Sequence, residues 1–535
     1  MTALVLTELT IRRQEHLFSV RILHSKKLTM KNKIYKISIA ASLFLGLAIT
    51  GVSCNNENIE DVKYLGAFPT DSFFRNEQEC FFALVGTYDV VRKYAGGFEN
   101  MVTFFNAGSD DFYAGGGSGT DGAGIQGISN FQINPNTIPA SYWRDYYQGI
   151  SRANVLIEKI PQADMSDAVK NRFTAEAKTL RALYYFDLLR TFGNIPLILK
   201  EIKATDDYYN IPQATPAAVY TQIEQDLLAA IPNLPATVSG VERGRLTQGA
   251  AKALLGKVYL YENKKAEAAA QLASVNGTPG TSSQYGYKLV QNFADLWVTD
   301  NKFTTESIFE VMHTNQGSSD WGFWGQGKDE GNSICIMTAP RGYSKLKDDA
   351  PDLIAGWAFN PVTENLFNFM QGDPRLNASI MNIKSLKQQG KADYSGAYMD
   401  SGYFLNKYLP TLSEKTTLPG AWELNFRKNY ILIRLADTYL MEAEALNGSG
   451  SRAQVLLDAV RARVGLASVP VSIQAIKDER RRELIGEGHR FFDLVRWGDA
   501  PSALAFKGFV AGKNEIMPIP YTELTGTILK QNPKY

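Results

Sequence analysis

The chain has 535 residues, of which 44% are hydrophobic and 11% aromatic, with 26 Tyr and 28 Phe. Its 56 basic and 55 acidic side chains nearly cancel, so no field of one sign recommends a nucleic acid as partner. The hydrophobic share is that of an ordinary globular protein, and the aromatic content leans towards surfaces that contact carbohydrate or peptide.

Residues 1–29 precede a second methionine, Met30, and read as an upstream extension of the true start. Lys31, Lys33 and Lys36 then lead into an uncharged apolar run over 37–52, shorter than the roughly 20 residues a membrane-spanning helix needs. Basic, then apolar, then small residues is the order of a secretory signal, so 30–53 is expected to be removed and the remainder exported. Cys54 follows Gly51-Val52-Ser53 and resembles the lipobox cysteine of bacterial lipoproteins, although the usual Leu three positions earlier is absent. Cys54 is therefore the expected acylation site, with cleavage nearby and a free cysteine as the alternative. Several acyl chains, each contributing about 0.8 kcal/mol per buried CH₂, would anchor the protein to a membrane. The polar stretch 54–70 suits a tether, and 71–535 is expected to form a single α-rich domain.

The first helix is expected over 76–94, where Cys80, Leu84, Tyr88 and Val91 share one face and make Cys80 a core residue. Cys335 has no evident partner, so neither a disulfide framework nor a metal knuckle is expected. An irregular region, 95–139, follows Tyr94 and is rich in glycine, asparagine and aromatics. Its "GSGTDG" at 117–122 formally matches a dinucleotide fingerprint, but that motif needs a strand before it and a helix after it, and neither is expected here. Asp110, Asp111 and Asp121 could bind calcium, although their spacing is not that of an EF-hand loop. No other cofactor is expected.

Helical periods continue over 141–160, 166–192, 216–231, 247–261 and 265–275, with Ser166 placed to cap one start, Gly193 to end that helix, and a strand-like "NIPLIL" after it. Leu255, Gly256 and Tyr259, then Ala268, Leu272 and Val275, follow the small and large positions of a tetratricopeptide hairpin. Ala153, Ile157 and Ile160 with Ala182 and Tyr185 suggest another near 141–192. A long irregular region, 285–426, carries the strand-like "SIFEVMH" and the stretch "SDWGFWGQG" at 319–327. Long loops inside a compact domain are usually functional. Trp321, Phe323 and Trp324 cannot all share one face of an extended loop, so one tryptophan is read as a ring platform and the other aromatics as its anchors. Trp297 and Trp357 lie in apolar company and are assigned to the core. Further helices are expected over 429–446, 452–464, 473–485 and 490–497, where Leu435, Ala436 and Tyr439, then Ala453, Leu457 and Val460, repeat the hairpin code.

Four segments, 175–198, 431–447, 479–498 and 516–535, resemble the signatures of the SusD/RagB family and fall in that family's order. The resemblance implies a mainly α, SusD-like fold with tetratricopeptide-like hairpins and no enzymatic activity. It also implies an outer-membrane lipoprotein, facing outward, that binds a nutrient glycan and passes it to a SusC-like TonB-dependent transporter. Ser109-Asp110-Asp111 resembles a position after which family members place glycan contacts, which makes Asp111 and Tyr113 candidates, with Tyr94 preceding the same loop. The charges of 479–498 are expected to form a buried ion-pair network rather than a site. Two other readings stay open. A peptide-capturing relative is one; a glycoside hydrolase is the other, though no spacing singles out the two carboxylates, about 5–10 Å apart, that it would need.

Overall fold

The periodic spans become helices because each has a buried face, and half of the helices named below have a side chain to close the first turn. The computed structural model describes residues 73–203, 205–317, 320–321 and 330–535. Its helices are α1 (Glu77–Tyr88), α2 (Met101–Ala107), α3 (Ala123–Ser129), α4 (Ser141–Lys159), α5 (Asp167–Phe192), α6 (Pro216–Ala230), α7 (Gln248–Tyr261) and α8 (Lys265–Asn276). In the C-terminal part come α9 (Leu435–Ala445), α10 (Gly450–Arg463), α11 (Ile473–Glu483) and α12 (Arg490–Trp497), with several shorter turns between α8 and α9. Asn76, Ser166, Thr215 and Thr247 each accept from the backbone N–H three residues on, a cap worth about 1 kcal/mol.

The fold is mainly α. α4 packs on α5, α5 on α6, α7 on α8, α8 on α9, and α9 on α10. The small-residue positions set the closeness of these approaches. A Cβ on Gly149 would lie 2.6 Å from the Tyr184 ring, and one on Gly256 2.6 Å from Leu272 Cγ, so neither pair of helices could sit as near with a larger residue. Leu255, Ala268, Leu272 and Val275 are fully buried, as are Leu435, Ala436, Tyr439, Ala453, Leu457 and Val460. Among the described residues no helix is long and apolar enough to cross a membrane.

Three expectations need correction. The helix expected over 429–446 begins instead as a strand, Tyr430–Arg434, paired antiparallel with Ser307–Val311; all five strand residues are buried, so the run carries no helical period to contradict or support the helix. The region 95–139 is not all loop. α2 is buried on every side, which hides its period, and α3 is a glycine-containing helix held by packing, with Gly127 close against Ile133. A short helix therefore does begin just after "GSGTDG", but what precedes it is two isolated bridges, Phe112 with Val362 and Gly115 with Phe359, so among the described residues the strand that a dinucleotide fingerprint needs is still missing.

The last helices are locked to the rest by charge. Arg434 ends its strand between three carboxylates: Glu306 at 2.9 Å, Glu483 at 2.6 Å and Glu487 at 2.8 Å. Arg375 bonds Asp373, Glu479 and Glu483, and Lys407 reaches Glu487 at 2.7 Å. Burial alone would raise the Glu483 carboxyl, but the guanidinium groups of Arg463, Arg434 and Arg375 override it and hold it well below the usual carboxylate range. A second cluster joins Arg480 to Asp437 and Asp493, and Arg496 to Asp493 and Glu444.

Candidate functional site

Two irregular stretches meet in antiparallel fashion and build a surface rich in aromatic side chains. Isolated bridges join Phe112 to Val362 and Gly115 to Phe359, and Gly116 N–H donates to the Ala358 carbonyl at 2.9 Å. Gly115 is required at this crossing: its φ is +71°, and a Cβ there would lie 2.1 Å from the Ala358 oxygen. On the opposing segment, Ala358 and Asn360 both take positive φ, 56° and 54°. Such backbone costs on the order of 1 kcal/mol or more per residue and persists where the surroundings enforce it; here Asn360 is fully buried and bonds the Ala114 and Thr103 carbonyls.

This backbone presents Trp357. Its ring lies 5.9 Å from Trp321, tilted by 35°, and 6.3 Å from Phe98. Trp321 is 50% exposed and Trp357 is half-buried. The glycine loop 115–122 runs alongside: a Cβ on Gly119 would touch the Tyr398 ring at 3.2 Å, and Tyr398 N–H donates to the Gly116 carbonyl. Asp121 accepts from Gly117 N–H at 2.7 Å and faces Arg341 at 4.0 Å, both side chains more than a third exposed. A pair so exposed contributes at most about 1 kcal/mol, so both charged groups keep hydrogen-bonding capacity for a ligand. The surface offers flat apolar faces beside one carboxylate and one guanidinium, which suits a ligand with C–H faces and hydroxyl edges.

The residues expected from sequence fall unevenly around this surface. Trp321 belongs to it. Phe323 and Trp324 lie outside the described residues, as does Cys54. Trp357, assigned above to the core, does pack against the core, but as a half-buried ring that also lies beside Trp321; Phe98 and Arg341 carry no sequence signal of their own, and Asp121 was read only as a possible calcium ligand. The signal for Tyr398 was available: "YSGAYMDSGY" mixes aromatics and glycines much as "SDWGFWGQG" does.

Tyr94 sits in the core, 3% exposed, donating to Asp187 at 2.5 Å and stacked on Tyr430, and it offers no face to a ligand. Asp111 is also buried, because its carboxylate takes a hydrogen bond from Arg481 at 2.7 Å, while neighbouring Asp110 is held by Arg490 at 2.8 Å. The two aspartates tie this loop to α11 and α12. Burial works to raise the Asp110 carboxyl, and the Arg490 guanidinium more than offsets it, leaving it below its ordinary value. With Asp110 and Asp111 engaged by arginines and Asp121 turned to Gly117, the three do not converge as a calcium site; among the described residues no group of three or more His, Cys, Asp or Glu could hold a metal ion. Tyr113 is half-buried, and its hydroxyl, pushed up to about 12 by burial and by Glu364, donates to that carboxylate at 2.8 Å. Buried Lys507 pins the loop from below by donating to the Ala107 and Phe112 carbonyls at 2.7 and 2.6 Å.

Comparison with known proteins gives a consistent picture. The model of the SusD family matches residues 305–525, and a model described as "Starch-binding associating with outer membrane" matches residues 120–260. A solved structure of a laminarin-binding SusD-like protein is 59% identical with a TM-score of 0.85, the match covering 86% of this chain and all of that one. The surface glycan-binding protein A of Bacteroides fluxus is 28% identical with a TM-score of 0.75, over 86% of this chain and 100% of its own. SusD-like protein P25 of Formosa agariphila is 24% identical over 90% of this chain and 95% of its own length. The first two of these relatives are named for glycan binding.

Proposed function

The chain belongs to the SusD/RagB family, and from that premise we propose that it is an outer-membrane lipoprotein that captures a neutral glycan of the laminarin class and delivers it to a SusC-like TonB-dependent transporter. The protein is anchored through Cys54 and faces outward. The observation that carries the ligand reading is exposed Trp321 against half-buried Trp357, with the open Asp121 and Arg341 pair on the same surface. The laminarin-binding relative at 59% identity supports the glycan class, and the family description supports association with the outer membrane.

Aromatic contacts contribute on the order of 1 kcal/mol each beyond the area they bury. A few such contacts with a few hydrogen bonds give affinities of about millimolar to micromolar, suited to capture followed by release. The test is calorimetric titration of the mature chain with laminarin, other neutral polysaccharides and oligopeptides. Binding to laminarin and not to peptides is the expected result; binding to peptides alone would assign the chain to peptide uptake. Co-purification with the transporter from membranes tests delivery separately.

A further inference from the structure

A second cleft, sharing no residue with the surface around Trp357, opens between α4, the segment 196–211 and the C-terminal turn Tyr521–Leu524. Its volume is about 350 Å³, at the lower end of the range of small-ligand sites, about 300–1,000 Å³. Its mouth carries Tyr208 and Tyr209, 49% and 48% exposed, with ring centroids 4.1 Å apart and hydroxyls bonded to each other at 2.7 Å. Two adjacent tyrosines held out into solvent lose hydrophobic stabilisation that burial would give, and the core does not use them.

The walls are built rather than incidental. Tyr185 both donates to the Ile198 carbonyl at 2.6 Å and accepts from its N–H at 2.7 Å, Tyr147 donates to the Pro196 carbonyl, and Asn154 donates to the Ile198 carbonyl. From the other side, Ile528 N–H reaches the Tyr209 carbonyl and Lys530 N–H reaches Gln213. The floor is apolar, from Ile150, Ile198 and Leu529, while the rim mixes Arg144 and Lys200 with the half-buried carboxyl of Glu523. A ligand of one strong charge would meet a like charge on this rim. A neutral, polyhydroxylated ring would meet aromatic and aliphatic faces for its C–H side and charged groups of both signs for its hydroxyls.

We infer that the Tyr208–Tyr209 cleft is a second binding site for the same neutral glycan, taking another stretch of the polymer held at Trp321 and Trp357. The inference rests on the proposed glycan-binding function. Two weak sites on one chain raise retention of a polymer by effective concentration without tightening the grip on a short fragment, and the linked gain falls away when the fragment cannot span both.

The test compares the wild-type mature chain with Tyr208→Ala/Tyr209→Ala and with Trp321→Ala/Trp357→Ala. Each is run through gels containing laminarin and titrated with short laminarin oligosaccharides, with melting temperature recorded for each. The tyrosine variant is expected to lose retention on the polymer several-fold at an unchanged melting temperature while keeping most of its affinity for the short fragments. The tryptophan variant is expected to keep a weak residual retention that disappears when the tyrosines are also removed. Retention unchanged in the tyrosine variant overturns the second site while leaving the first standing. Retention lost in the tyrosine variant but not in the tryptophan variant overturns the reading of the first site and upholds the cleft. Loss of transporter co-purification with glycan retention intact would assign the cleft to a polypeptide and overturn the inference.

Discussion

Individual residues in this chain divide between those that hold the loops and those the loops present. Tyr94 is of the first kind: its hydroxyl donates to buried Asp187, so Tyr94→Phe leaves that carboxylate short of a partner and is expected to cost about 1–2 kcal/mol with no change in glycan affinity. Urea denaturation and titration of the same sample check both halves. Asp111→Ala strips Arg481 of its main partner and loosens the loop from α11. The expected loss is about 1–3 kcal/mol of stability, with affinity falling only as far as the loop shifts. The sequence placed both residues beside the right loop but could not tell a contact with solvent from one with an arginine 370 positions away. For Trp357 the apolar neighbours in sequence correctly point to the core, against which it packs half-buried, but they do not reveal that it also lies beside Trp321.

Elements were legible where one face is buried and the other is not. The N-cap of α5 at Ser166 and its end at Gly193 stand where spacing put them, and the hairpin code places Gly256 against Leu272. Gly256→Ala should therefore push α7 from α8 and cost about 1–3 kcal/mol, read as a shift in denaturation midpoint at constant slope. Legibility failed where every face is buried, as at Tyr430–Arg434 and α2, since period needs contrast. That strand has a consequence of its own: it delivers Arg434 into the cluster of Glu306, Glu483 and Glu487. Arg434→Met leaves those carboxylates buried without their shared cation and is expected to destabilise by about 3–5 kcal/mol, against a near-neutral effect for the partly exposed Arg427→Met, whose partner Asp300 is open to solvent.

The whole molecule combines a scaffold rich in buried ionisable groups with a loop surface that the scaffold holds. Burial pushes His313 and His489 from the ordinary 6.5 down to about 4, so both are neutral in the folded protein near neutral pH. As pH falls below 6.5 the unfolded chain takes up these protons first, and each histidine withdraws on the order of 3 kcal/mol of stability by pH 4. Glu483, Glu487 and Asp110 have folded values below their ordinary ones; their contribution is present above the unfolded carboxylate range and is lost as pH drops below it towards the folded values. Melting temperature should therefore fall steadily from pH 7 to pH 4, and a rise over that interval would contradict the buried placement of these groups. The family was readable because its signatures lie in this charged scaffold and in the hairpins. The ligand was not, because the surface that would carry specificity is assembled from stretches without periodicity, brought together by bridges such as Gly115 with Phe359. The most direct test of that surface is the laminarin affinity of Trp321→Ala/Trp357→Ala, measured by calorimetry alongside its melting temperature. A loss of at least about tenfold, equivalent to about 1.4 kcal/mol or more, with melting within a few degrees of wild type is predicted; wild-type affinity in the folded variant would contradict it.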